Sequence, residues 1–206
     1  GPKIKTHYAL RMLAREHRVE LLTFARDERE AAAAAQMGAW CDRVTVVPLR
    51  RQRPREPYYL ARGWGGRMPF LVARDYRREF SRAIGARLAS GELDVVHADQ
   101  VSMAQYLPVA RARGLATVFD AHNAVYDLAR DLARRQPTPA HRLAMEIEWR
   151  LLRRFEGRQC RESTLTLAVS RDDRDRLAEA AGGPFRAEVI PIGVEAEGIS
   201  PVPHDP

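Results

Sequence analysis

The chain has 206 residues, of which 45% are hydrophobic and 30% are charged. That length is enough for one sizeable hydrophobic core, and the composition is typical of a globular domain rather than a disordered or fibrous chain. Within the printed sequence, no apolar run approaches the roughly 20 residues that cross a bilayer as a helix.

The formal net charge is +7 and the isoelectric point is about 10.0, which suggests an anionic partner. Lysine occurs only at Lys3 and Lys5, and every other basic residue is arginine. The arginines alternate with acidic residues, as in residues 26–30 and 171–176, and this pattern is typical of solvated helix faces. A true anion-binding surface stays open as the alternative. We find no nucleic-acid recognition motif and expect no nucleic acid as a partner.

The two cysteines, Cys41 and Cys160, lie far apart in the sequence and lack the spacing of a metal site. We expect free thiols in a reducing compartment, with a disulfide as the open alternative. A G-x-G-x-x-G fingerprint is also absent from the sequence, which argues against a dinucleotide-dependent oxidoreductase.

Apolar strand-like segments alternate with helix-like segments along the chain. Predicted strands are residues 19–24, 44–47, 93–97, 116–120, 165–169 and 187–190. Predicted helices are residues 8–15, 28–37, 73–89, 103–113, 125–134 and 140–161, with another beginning after Ser170 as its N-cap. Residues 50–69 fit neither pattern well. The alternation predicts an α/β domain with a Rossmann-like three-layer architecture and a mostly parallel sheet.

Polar residues follow several of the predicted strands. The carboxyl ends of parallel strands share one edge of the sheet, which is where open α/β sheets bind ligands. Such residues also commonly begin loops, so a structural role is the alternative at each position. They are Asp99 and Gln100, then Asp120, His122 and Asn123, and finally Ser170.

Five blocks of the sequence stand out as motifs. They are GPKIKTHYALR at residues 1–11, LDVVH at 93–97, DAHN at 120–123, VSRDD at 169–173 and VIPIGVE at 189–195. Together they resemble the N-terminal domain of GT4-like glycosyltransferases, which have the GT-B fold. The blocks follow one another in that family's order and cover nearly the whole chain, and Ile192 replaces the usual asparagine.

The resemblance implies half of a two-domain enzyme. Residues 1–194 would form the acceptor-side Rossmann-like domain, with the first strand missing before Gly1. Residues 195–206 would be a linker toward an absent second domain that holds the nucleotide-sugar site. We therefore expect this chain alone to be inactive. The implied activity is transfer of a sugar from a nucleotide-sugar to a polysaccharide, a glycolipid or a small molecule, without a metal or another cofactor.

The resemblance also implies roles for the residues at the strand ends. His122 is the expected catalytic residue, in contact with the donor sugar or phosphate, and a structural histidine is the alternative. The other expected substrate-binding residues are Gly1, Pro2, Lys3 and Lys5 in the first loop, and Asp99, Gln100, Asp120, Asn123 and Ser170 at later strand ends. Asn123 equally fits a helix cap. His97 is expected to be a packed strand residue.

Residues 58–70 combine aromatic residues, arginines and glycines. This composition fits an acceptor site or a membrane surface, and the alternative is a loop that packs its aromatic rings on the sheet. The resemblance implies an enzyme in the cytoplasm, with the inner face of the membrane as the open alternative within it. Trp149, Leu152 and Phe155 are expected in the core.

Two other functions stay open for the same fold. One is a sugar epimerase of the GT-B class, which would change a free sugar without an acceptor. The other is a non-catalytic module that binds anions or nucleic acid, whose binding would depend steeply on salt.

Overall fold

The computed structural model of the chain describes residues 2–49 and 53–193, with side chains from residues 5–49 and 54–193. Helices and strands alternate, as the sequence predicts. The strands are β1 (Glu20–Ala25), β2 (Arg43–Pro48), β3 (Val95–Asp99), β4 (Ala116–His122), β5 (Leu165–Ala168) and β6 (Ala187–Val189). The helices are α1 (Pro2–Leu13), α2 (Glu28–Ala35), α3 (Glu56–Gly65), α4 (Phe70–Ala73), α5 (Arg78–Leu88), α6 (Leu107–Arg111), α7 (Val125–Arg134), α8 (Pro139–Glu162) and α9 (Arg171–Ala181).

Every strand pairing in the described residues is parallel, which confirms the Rossmann-like α/β fold. The strands form a two-stranded sheet, β1-β2, and a four-stranded sheet in the order β3-β4-β5-β6. The register is interrupted between Asp120 and His122, where β4 meets β5. The first strand that the sequence analysis expects stays a prediction.

Two hydrophobic cores hold the sheets and helices together. The larger core joins Phe119 of β4 to Leu152 of α8 and Leu177 of α9, all less than 2% exposed. The smaller core joins Val47 of β2 to Phe80 of α5 and to Tyr106, a residue just before α6. Consecutive residues of β4 are buried although they point to opposite faces, because the strand is covered on both sides.

Two predictions differ from the structure. The helix predicted for residues 73–89 begins only at Arg78, as α5, because α4 ends at Ala73 and the chain turns at Arg74 and Asp75. The sequence predicts no regular structure for residues 50–69, yet α3 forms there. Pro57 lies in its first turn, where the missing N–H costs nothing, and Gly63 allows α3 to approach Met68 and Ala73 closely.

The aromatic residues of this segment have separate surroundings. Trp64 donates its indole N–H to Glu148 of α8 at 3.1 Å, whereas Tyr58 is 60% exposed. In α8, Leu152 and Phe155 are buried in the larger core with Trp149 packed against them, as predicted. Among the described residues, no helix is both long and apolar enough to cross a membrane.

The cysteines and many arginines are placed as the sequence indicates. Cys41 and Cys160 are both free and buried. Burial raises the pKa of the Cys160 thiol to about 12. Arg26, which precedes the N-cap of α2, pairs with Glu30 in the first turn of that helix, and its side chain is exposed to solvent.

Candidate active site

The carboxyl ends of β3 and β4 lie side by side, with Asp99 opposite Asp120 in the register. A residue with left-handed backbone geometry directly follows β3 and another ends β4. The φ angle is 79° at Gln100 and 57° at His122. Residues other than glycine disfavour this backbone geometry, and it is enriched at functional sites. The chain therefore maintains a costly backbone conformation at both strand ends.

Lys5 and Asp120 form a buried ion pair beneath this edge. Lys5 is 7% exposed and Asp120 is 3% exposed, and the ammonium contacts the carboxylate directly. His97 of β3 lies on the other carboxylate oxygen at 3.5 Å. Burial by itself raises the pKa of Asp120, but the hydrogen bonds from His97 and Lys5 outweigh burial and lower it to about 2. Asp120 is thus a permanent anion at neutral pH.

His122 and Asp99 form a second pair at the surface of the same cluster. The imidazole Nε2 of His122 is hydrogen-bonded to Oδ1 of Asp99, and the hydroxyl of Thr6 donates to Oδ2 of Asp99 at 2.6 Å. His122 is 6% exposed. A carboxylate bonded to one ring nitrogen orients the imidazole and selects its tautomer, which leaves the other nitrogen, Nδ1, for a ligand.

Helix α1 supplies two members of the cluster from far away in the sequence. Lys5 reaches Asp120 across 115 positions, and Thr6 reaches Asp99 across 93. Since Lys5 and Thr6 are adjacent in one helix turn, α1 must begin at the carboxyl edge of β3 and β4. The first turn of α1 is therefore part of the site.

Asp99, Asp120 and His122 also have the geometry of a cation site. Their possible ligand atoms all lie within 4.8 Å of one another. Lys5 already supplies a positive charge to this group, because its ammonium contacts Asp120. A divalent ion would have to displace that ammonium, which makes the cluster a poor fit for a metal.

A comparison with models of protein families identifies the class of protein to which this domain belongs. The model of Glycosyltransferase Family 4 matches residues 6–197. The chain belongs to glycosyltransferase family 4. Its general function is therefore of the glycosyltransferase type. A comparison with curated proteins returned no match.

The structure of this family 4 domain brings together four of the seven predicted site residues whose side chains it describes. Lys5, Asp99, Asp120 and His122 form one connected cluster. Gln100 is exposed beside it and donates its backbone N–H to the carbonyl of Asp120 at 3.0 Å. That these residues bind substrate stays a prediction.

The remaining predicted residues lie outside the connected cluster or outside the described part of the chain. Gly1 lies outside the described residues. Pro2 and Lys3 belong to α1, and their side chains lie outside the described part of the chain. Ser170 uses its hydroxyl as the N-cap of α9, accepting from the N–H of Asp173 at 3.0 Å. A contact of Ser170 with substrate stays a prediction.

Two smaller sequence interpretations of the family 4 domain are corrected by the structure. Asn123 does not cap α7, because the N-cap position belongs to Ala124. His97 is not packed in the sheet. Its side chain is 31% exposed at the free edge of β3, and its ring faces Asp120.

The sequence does not single out three residues that contact the site, Thr6, Glu156 and Asp173. The hydroxyl of Thr6 bonds Asp99, and the carboxylates of Glu156 and Asp173 bond the backbone that follows His122. A signal existed for Glu156, since it lies beside Phe155 on the apolar face of a helix, where an acidic residue needs buried partners. For Thr6 the sequence offers no such signal.

Proposed function

We propose that this chain is the acceptor-side domain of a glycosyltransferase that moves a sugar from a nucleotide-sugar to an acceptor hydroxyl. Family membership supports the reaction class. The observation that carries the site assignment is the His122–Asp99 pair at the carboxyl edge, held on a left-handed backbone next to the Lys5–Asp120 ion pair.

In the proposed reaction, the bond between the anomeric carbon and the leaving diphosphate breaks and a bond to the acceptor oxygen forms. The acceptor proton leaves with the diphosphate or to water. With Nε2 donating to Asp99, His122 offers Nδ1 as an acceptor for a sugar hydroxyl, while Asp99 holds the ring in place. The half-exposed Asp99 and the exposed Gln100 offer hydrogen-bonding groups to acceptor hydroxyls.

The proposed enzyme needs a second domain and no metal. Residues 195–206, the proposed linker, lie outside the described residues. The donor-side domain would supply most of the positive charge around the diphosphate, because Lys5, the lysine with a described side chain, already contacts Asp120. Sugar transfer by the purified 206-residue chain would contradict this half-enzyme proposal.

The site assignment is tested by substitution in the complete two-domain enzyme. His122→Asn removes the imidazole but tolerates a left-handed backbone, and we expect transfer to fall by roughly 100-fold or more. His141→Asn is the matched control, because His141 is exposed and bonds Thr138 at the start of α8. Equal activity of His122→Asn and the wild type would rule out His122.

A peripheral membrane contact through α3 is also proposed, with the enzyme in the cytoplasm. Tyr58 is 60% exposed on this helix, and Arg55 and Arg62 are exposed nearby in the chain. An aromatic ring with adjacent arginines suits an anionic interface. Flotation with vesicles of phosphatidylglycerol and phosphatidylcholine should weaken in Tyr58→Ser. Unchanged flotation, or none in the wild type, would remove this part of the proposal.

A further inference from the structure

The backbone that follows His122 is bound by carboxylates from two other helices. Glu156 of α8 is fully buried, and its two oxygens accept the N–H groups of Val125 at 2.9 Å and Tyr126 at 2.7 Å. These are first-turn N–H groups of α7, which have no acceptor within the helix itself. The buried side chain of Glu156 thus accepts two successive backbone N–H groups that have no acceptor within α7.

Asp173 of α9 binds the preceding residue. Its Oδ1 accepts the N–H of Ala124 at 3.1 Å, while its other oxygen is bonded to the hydroxyl of Ser170. Three consecutive N–H groups, from residues 124 to 126, therefore each donate to a carboxylate of another helix. In many α/β proteins such a helix start binds a phosphate, but here protein carboxylates fill that position.

We propose that Glu156, assisted by Asp173, is a positioning residue for His122. The N–H groups that these carboxylates hold begin two residues after His122. With β4 bonded to its neighbours on one side and α7 anchored on the other, the intervening chain is confined. That confinement keeps His122 in its left-handed conformation, with Nε2 on Asp99. The inference rests on the proposed function only for the role of His122 in binding substrate.

Helix α8 also contains a matched control. Glu148 is a second buried glutamate, and it accepts the N–H groups of Phe70 and Leu71 at the start of α4, both at 2.9 Å. Glu148 and Glu156 therefore each accept two N–H groups at the start of a different helix, and Glu148 also accepts the indole N–H of Trp64. Only Glu156 is connected to the loop after His122.

The test compares Glu156→Gln with Glu148→Gln in this chain, using NMR of the His122 ring nitrogens and amide hydrogen exchange. In Glu156→Gln we expect the amides of Val125 and Tyr126 to exchange about tenfold faster and the His122 ring resonances to move. In Glu148→Gln the amides of Phe70 and Leu71 should exchange faster by a similar factor, while the His122 resonances stay in place.

Unchanged His122 resonances in Glu156→Gln would overturn the proposal, as would an equal shift in both variants. Asp173→Asn is a second probe in case Glu156→Gln does not fold, and it should move the amide of Ala124 together with the His122 ring. If neither foldable variant moves His122, the proposal fails. Because these readouts need no substrate, a failure of the glycosyltransferase proposal would appear separately, in the transfer assay.

Discussion

The ammonium of Lys5 and the carboxylate of Asp120 contact each other inside the protein, although 115 positions separate them in the chain. This ion pair attaches α1 to β4 of the four-stranded sheet, and Oδ1 of Asp120 lies 4.0 Å from Nε2 of His122. Removing one partner of a buried pair leaves an uncompensated charge, which is strongly destabilising.

Lys5→Met should therefore destabilise the fold by about 3 kcal/mol, since methionine fills similar space without the charge. Urea denaturation followed by circular dichroism measures the change. Arg26→Met is the control, because Arg26 pairs with Glu30 at an exposed position, where such pairs contribute about 1 kcal/mol or less. Equal losses in the two variants would show that the Lys5 pair is not buried in solution.

Asp120 should give the protein a distinct loss of stability in acid. Its pKa is lowered from 3.8 to about 2, so the folded state binds its proton less readily than the unfolded chain. The resulting stability, about 2 kcal/mol, is present above pH 3.8 and is lost as the pH falls through 2. Asp120→Asn should be less stable at neutral pH and should lack this slope in urea titrations between pH 4 and 2. An unchanged slope would contradict the lowered pKa.

Glu156 should have the opposite effect at higher pH. Burial raises its pKa above the usual 4.5, against the lowering effect of the N–H groups of Val125 and Tyr126, which bond the ionised form. The folded protein therefore binds this proton more readily than the unfolded chain, so stability falls as the pH rises above 4.5, until the folded protein has released the proton as well. Glu156→Gln carries no titrating proton. Thermal unfolding at pH 5 and pH 8 should therefore show a smaller difference for that variant than for the wild type.

Gly157 marks the closest packing of α8 against α9. A Cβ atom at this position would overlap the carbonyl oxygen of Ala180 and lie 2.6 Å from its carbonyl carbon. Gly157→Ala should destabilise the protein by about 3 kcal/mol or more, because both atoms belong to backbone. Gly85→Ala, inside α5, meets no atom within 4 Å and should raise stability by up to about 1 kcal/mol. Similar melting temperatures for the two variants would contradict this packing.

The sequence predicts the strands well and some helices poorly. β3 and β4 lie within two residues of their predicted bounds, because short apolar runs between turn signals are a local pattern. The continuous helix predicted for residues 73–89 is broken, because the backbone N–H of Arg77 and the carbonyl of Asp75 bond the hydroxyl of Tyr106 instead of a helical partner. That contact joins distant parts of the chain, and no local pattern contains it.

The candidate site likewise combines features that the sequence predicts with contacts that it does not predict. The sequence by itself determined that polar residues such as Asp99, Asp120 and His122 lie at the carboxyl ends of strands, since the position of a strand along the chain is a local property. Only the tertiary structure decided that Lys5 neutralises Asp120 and that Glu156 binds the start of α7. Both contacts depend on which helix packs beside which strand, and that choice is made by burial over the whole domain.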